Sequence, residues 1–139
     1  MATIRPTFDL ETALTVSGLS SLSDGATAES VAVDNNTTPS LNVEIEIKLT
    51  GTVTTSVDSV DVYMIRSMDG TDYSTYAAEE GKVNLLFLSS VALNTSTSVT
   101  KSIRVEQLPP YWKLLFDNQS GGAISAESIS YRTSNLTNG

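Results

Sequence analysis

Hydrophobic and polar positions alternate most cleanly in "LNVEIEIKLTG", Leu41 to Gly51. Val43, Ile45, Ile47 and Leu49 interleave with Asn42, Glu44, Glu46 and Lys48. Period two places the aliphatic side chains on one face of an extended strand and the charges on the other. Pro39 before the segment and Gly51 after it are suitable stops. Shorter stretches repeat the theme. "ALTVSGL" from Ala13 is a strand candidate, and "AESVAVD" points Val31 and Val33 to one side. "VDSVDVYMIRS" aligns Val60, Val62 and Met64 against Tyr63 and Ile65, so both faces are expected to be covered. "KVNLLFLSSVAL" sets Val83, Leu85 and Phe87 against Leu86 and Leu88 and carries the same expectation. "SVTKSIRVEQL" aligns Ile103 and Val105, "YWKLLFD" aligns Trp112, Leu114 and Phe116, and "AESISYRTS" aligns Ile129 and Tyr131.

These segments are separated by Gly, Asn, Asp and Ser clusters, and none holds a helical period. The best helix candidate, "YSTYAAEEGK", offers one or two turns inside a loop. The pattern predicts an all-β fold: an antiparallel β-sandwich, jelly-roll-like, of about eight strands. Pro109 and Pro110 cannot donate to a ladder and should end one strand. Trp112 then opens an inward row and is expected in the core. "DNQSGG" turns the chain, and the strand around Ile129 and Tyr131 is expected to pair back as a hairpin. Residues 13–139 read as one sandwich domain. Residues 1–12 read as a short N-terminal arm or a first edge strand, since Ile4, Pro6, Phe8 and Leu10 have little local partner to bury against.

Composition narrows the function. Hydrophobic residues make up 40%, enough for a core, while charged residues make up only 17%. Solubility must therefore come from hydroxyls, and the chain has 20 Ser and 18 Thr. It has no cysteine and no histidine, which removes disulfides, thiol nucleophiles, His-based triads and ordinary zinc sites together. No catalytic residues, cofactor or metal are expected. The net charge of −8, with eight scattered cations, argues against nucleic acid as a partner. No run approaches the ~20 apolar residues of a membrane span, and "MATIRPTFDL" lacks the apolar core of a secretion signal, so synthesis in a cytoplasm is expected.

Four features invite chemistry. Glu44 and Glu46 share a strand face, as a glycosidase pair does, yet a wet face alternating with buried aliphatics needs charges there anyway. Glu79 and Glu80 fall in a solvated loop. Asp34–Asn36, Asp69–Asp72 and Asp117–Asn118 offer oxygen ligands for calcium, but none has the spacing of a calcium loop, and Asx turns explain them. Asn-x-Ser/Thr triplets, as at Asn36, Asn94, Asn118 and Asn135, arise by chance in so hydroxylated a chain.

The segment "LPPYWKLLFDNQSGGAISAESISYRTSN" resembles the C-terminal part of small structural proteins of tailed bacteriophages. The resemblance rests on Leu108, Pro109, Tyr111, Trp112, Asn118, Ser120, Gly121, Gly122, Ala123, Ile124, Ser125, Ala126, Tyr131 and Arg132. "SMDGTDY", "VNLLFLSSVAL" and "TSVTKSIRV" are similar more loosely. What the resemblance implies is a non-enzymatic virion protein, a capsid decoration or cement protein on the capsid exterior. Its partner would be the major capsid protein, and it would assemble as a trimer or dimer. Ile4, Arg5 and Phe8 of the arm, with Tyr111 at a rim, are then the expected partner contacts. The competing readings are a tail, fibre or head-completion subunit, and a jelly-roll carbohydrate-binding module using Tyr73 and Tyr76.

Overall fold

A computed structural model describes residues 4–52, 59–75, 85–93 and 97–138. The chain forms ten strands in order: β1 (Ile4–Phe8), β2 (Thr12–Ala13), β3 (Thr27–Glu29), β4 (Val33–Asp34), β5 (Asn42–Gly51), β6 (Val60–Ser67), β7 (Leu86–Val91), β8 (Val99–Glu106), β9 (Tyr111–Asn118) and β10 (Ile124–Asn138). A single 3-10 turn, Leu19–Ser21, is the helical element among the described residues. None of it is long and apolar enough to cross a membrane. Two five-stranded antiparallel sheets result. The first runs β1-β10-β5-β8 with β2 also on β10; the second runs β3-β9-β6-β7 with β4 also on β9. Taking β1 with β2, and β3 with β4, as two interrupted strands leaves eight. Their orders are then 1-8-3-6 and 2-7-4-5, the double-sheet arrangement of a jelly roll.

The alternating rows become the core. Val43, Ile45, Ile47 and Leu49 of β5 are wholly buried, with Ile103 and Val105 of β8 and Ile129 of β10 beside them. Facing them are Val60, Val62 and Met64 of β6 and Trp112, Leu114 and Phe116 of β9. The Trp112 ring meets Tyr131 edge-on at 5.5 Å across the sandwich. Its indole N–H meets no acceptor. β6 is covered on both faces, as its pattern requires. Ile65 packs outside with Leu85 and Leu115 in a second small cluster, flanked by Tyr63 and Tyr73.

Three expectations are corrected. Val31 and Val33 do not share a side: Val33 is buried and Val31 is exposed. Between β3 and β4 the Ser30 hydroxyl accepts the Leu114 N–H at 2.8 Å and donates to the Val31 carbonyl at 2.8 Å. That kink breaks the alternation and turns Val31 outward. Phe87 is exposed, because β7 is the edge of its sheet; its ring rests edge-on against Tyr63 at 5.5 Å. β9 and β10 do not form a hairpin. They belong to opposite sheets, and residues 119–123 carry the chain across the sandwich. The helix candidate from Tyr73 falls mostly outside the described residues, as do Val83, Glu79, Glu80 and Asn94.

That crossing is built on Asn118, which is wholly buried. Its amide nitrogen donates to the Leu22 carbonyl at 3.0 Å and the Gly122 carbonyl at 2.8 Å. Its oxygen accepts the Ser120 N–H at 3.1 Å and the Ser120 hydroxyl at 2.6 Å. Gly121 follows at φ 87°, a conformation glycine adopts without penalty. All four valences of one amide are used, so its loss strands several buried partners at once. Asn118→Ala should lower the unfolding free energy by about 3 kcal/mol, and Asn118→Asp by at least as much, because a carboxylate would face two carbonyl oxygens. Urea denaturation of the two variants measures this. A loss under about 1 kcal/mol would show that the turn holds without the amide.

Candidate functional site

β10 is longer than its neighbour. It pairs with β5 from Ile124 opposite Gly51, through an irregularity before Ala126, to Ser134 opposite Asn42. There β5 ends, and β10 continues with β1 alone: Ile4 lies opposite Asn138, Pro6 opposite Leu136, and Phe8 opposite Ser134. The result is a two-stranded ribbon projecting past the body of the sheet. Side chains opposite one another share a face. Ile4, Pro6, Phe8 and Leu136 therefore occupy the outer face of the ribbon, in line with Arg132, Glu44 and Glu46 of the outer sheet face. Every residue of β1 is exposed. Ile4 keeps 66% of its surface in solvent, Phe8 58% and Leu136 55%. Of the arm residues predicted as contacts, Ile4 and Phe8 thus stand together, and Arg5 lies on the opposite face with Thr7.

Beside Phe8 the sheet surface forms a groove of about 380 Å³, lined by Glu11, Glu44, Glu46, Ser102, Ser130 and Arg132 among others. The Ser130 hydroxyl donates to Glu11 at 2.6 Å. Glu44 pairs with Arg104 at 3.5 Å and Glu46 with Lys48 at 3.4 Å. These groups are about half exposed, and such pairs contribute at most about 1 kcal/mol each. They are readily traded for an incoming charge. The Glu44–Glu46 pair sits on this open face with its cations, as a wet strand face requires.

Tyr111 opens β9 in the other sheet, opposite Asp34 and Ser67. It lies at the ribbon's end of the sandwich, where Leu108 N–H donates to the Leu41 carbonyl at 3.0 Å. The ring is half-buried against Gly70, whose φ of +78° strains any side chain placed there and whose added Cβ would sit 3.1 Å from the ring. A second cavity of about 580 Å³ opens here between loops 66–74 and 107–110. Tyr73 lines it, but Lys113 stands 4.5 Å over the Tyr73 ring, so that ring is engaged within the fold. Burial pushes the Tyr73 hydroxyl up, helped by Tyr111, Asp69 and Asp34. Tyr76 lies outside the described residues.

The Asp-rich turns hold themselves. Asp34 accepts the Thr37 hydroxyl at 2.7 Å and the N–H groups of Asn36 at 2.7 Å and Thr37 at 3.1 Å. Asp69 accepts the Thr71 and Asp72 N–H groups, both at 2.8 Å, and the Ser67 hydroxyl at 3.0 Å. Asp117 accepts the Gln119 amide at 2.9 Å, while Asn118 points into the core. Among the described residues no three metal-ligating side chains converge. Sequence reasoning missed Leu136, Glu11 and Arg132. "SNLTNG" looks like a polar tail, and only its pairing with residues some 130 positions earlier makes Leu136 part of a surface.

The fold defines a jelly-roll β-sandwich with a projecting apolar ribbon. No protein-family model matches the sequence, and no curated protein matches it. Among solved structures, the chain is similar to the CBM22-1 xylan-binding domain of Xyn10C from Paenibacillus barcinonensis, at 8% identity over 91% of this chain and 85% of that one, with a TM-score of 0.46. It is also similar to dimeric latent PorU from Porphyromonas gingivalis, at 14% identity and a TM-score of 0.47; 96% of this chain matches 13% of that one.

The Asp turns should contribute to a loss of stability in acid. The Thr37 hydroxyl, then the Asn36 and Thr37 N–H groups, hold the Asp34 carboxyl below its ordinary 3.8. The Asp72 and Thr71 N–H groups, then Ser67, do the same for Asp69. A depressed folded value means the stabilisation is complete above 3.8 and fades as the pH drops below it. Thermal melts of the wild type should therefore fall more steeply between roughly pH 4 and pH 2 than those of the Asp34→Asn, Asp69→Asn double variant. Parallel curves would assign the acid limit elsewhere.

Proposed function

We propose that this chain is a non-enzymatic structural protein of a virion: a decoration protein that docks on the capsid exterior and reinforces contacts in the shell. One observation carries the reading. Ile4, Phe8 and Leu136 stand side by side on a projecting ribbon, each with more than half of its surface exposed. Monomeric proteins seldom leave contiguous apolar side chains on a protruding element unless a partner covers them. The resemblance of Leu108 to Arg132 to tailed-phage structural proteins implies the major capsid protein as that partner. A decoration protein needs no cofactor. It works by repetition: a modest apolar contact, multiplied over an oligomer on a repeating lattice, gains strength through effective concentration. A dimer or trimer of this chain would present two or three ribbons to the shell.

Empty heads assembled from the shell protein of the same genome supply the test. The Phe8→Asp, Leu136→Asp double variant should co-sediment with them at least tenfold more weakly than wild type, a loss of about 1.4 kcal/mol or more. Its circular dichroism should be unchanged, since neither side chain is in the core. Undiminished binding would remove the ribbon from the contact. Labelled protein found at a single vertex rather than over the shell would make it a tail or head-completion part. Specific retention on a glycan array, lost in Tyr73→Ala, would favour the carbohydrate-binding reading.

A further inference from the structure

The two sheets have four edges, and three of them are guarded against a further strand. On the β1 edge the Asp9 N–H donates inward to the Thr133 carbonyl at 2.9 Å, so by alternation Pro6 falls outward, where it has no N–H to give. Where β10 has outrun β5, the Leu136 N–H is taken by the side-chain oxygen of Asn135 at 3.0 Å. β8 carries Lys101 opposite Ile47, on the core face of the sheet yet exposed, and an inward-pointing charge on an edge resists pairing. β3 and β4 are three and two residues long, and Val16 bridges Ser30 between them. β7 differs. "LFLSSV", Leu86–Val91, has six residues without a charge or a proline, and among the described residues it pairs with β6 alone. Every second residue of such a strand turns its N–H and C=O away from its neighbour, so β7 offers main-chain groups to a further strand.

One irregularity decides which strand fits. Ser89 lies opposite Val62 and Phe87 opposite Tyr63, so Leu88 is an extra residue, a bulge. The bulge resets the alternation. Leu86 and Val91 lie opposite Met64 and Val60 of the core, and both face inward. Phe87 meets the Tyr63 ring, and the Ser90 hydroxyl donates to Asp61 at 2.7 Å, so both face outward. Turned end for end, the segment therefore matches itself. Leu86 falls opposite Val91 and Phe87 opposite Ser90, each pair on one face, with Leu88 beside Ser89 at the centre. Without the bulge, the same pairing would set each inward residue against an outward one. We propose that β7 of a second copy pairs antiparallel with this edge, about a two-fold axis between residues 88 and 89, joining two five-stranded sheets into one of ten. Unpaired main-chain groups select an extended strand. A chain with a net charge of −8 meets its own copy with least repulsion where the edge is uncharged. Pairing would also cover Leu86 and Leu88, which pack on the core from the edge and are only partly buried. The contact uses the same segment on both copies, so it closes at two. This goes beyond the docking reading and does not rest on it.

The purified chain alone supplies the test. In sedimentation velocity, wild type should shift with concentration from the 14.8 kDa of one chain toward twice that mass. The Phe87→Lys, Ser90→Lys variant sets cations opposite one another in both outward pairs and should stay at the mass of one chain. Its circular dichroism should be unchanged, since both side chains are exposed. A wild type that remains a single chain, or that forms a trimer, overturns the pairing, and so does a dimer that the lysines leave intact. A second measurement reads the register. The chain has no cysteine, so Phe87→Cys, Ser90→Cys installs the only two. Three residues of strand separate them by roughly 9–10 Å within one chain, too far for a disulfide, while the two-fold pairing sets each against the other in the second copy. Mild oxidation should yield a covalent dimer on a non-reducing gel, and neither single variant should match it. No crosslink in the double variant, or equal crosslinking in the single ones, overturns the register and the proposal with it.

Discussion

The molecule depends on two rows of aliphatic side chains pressed together between its sheets. Within the first sheet the rows align across three strands: Val43 sits between Val105 and Thr133, and Ile45 between Ile103 and Tyr131. Because side chains alternate, slipping β5 by one residue would bring Glu44, Glu46 and Lys48 inward and expose four buried aliphatics. Each buried Val, Leu or Ile contributes about 1.5–3 kcal/mol, so the slipped register lies far above the native one. Register is thereby fixed everywhere the core reaches. β10 takes its register from β5, and β1 takes its own from the part of β10 that β5 has left behind. The position of the ribbon, and the face its apolar residues occupy, are consequences of packing some distance away.

The elements read most clearly from sequence were those whose partner is the core itself. "LNVEIEIKLTG" could be assigned residue by residue, because burial on one side and water on the other impose the same period on any strand. Failure came where a local group overrode that period. Ser30 puts a hydroxyl into the ladder of β9 and rotates Val31 out, and nothing in "AESVAVD" marks that serine as different from its neighbours. Failure came again where connectivity was at stake. "DNQSGGA" has the composition of a tight hairpin turn. Its buried Asn118 instead bonds Leu22, from a distant part of the chain, and that bond makes the segment a crossing between sheets. Turn chemistry specifies that the chain reverses; it does not specify which sheet it enters.

The same distinction divides the candidate site. Ile4, Pro6, Phe8 and Leu10 stood out because they are apolar where no local partner exists to bury them. Which of them act together was not legible, since that follows from parity against β10. Arg5 falls on the far face for this reason, and Leu136 joins the near one. Tyr111, adjacent in sequence to two prolines, was expected at a rim; its half-buried ring packs against Gly70 in the loop after β6. The groove carboxylates come from β5 and from the loop before β2, brought beside Arg132 and Phe8 only by long-range pairing.

Exposed strand edges attract other strands, and proteins blunt them most often with charge. The two edges of the first sheet handle this differently. β8 presents Lys101, Arg104 and Glu106 to solvent, all exposed. β1 carries one charge, Arg5, and that charge faces away from the apolar side. With only 17% charged residues in the chain, the arm relies on backbone chemistry instead: a proline that cannot donate, and an amide that occupies the donor opposite. This choice has a consequence that charge would not have. A lysine on the β1 edge would repel strands and also place a hydrated cation beside Ile4 and Phe8. Proline removes a donor from the edge while adding apolar surface to the face that Ile4, Phe8 and Leu136 share, so one residue does both.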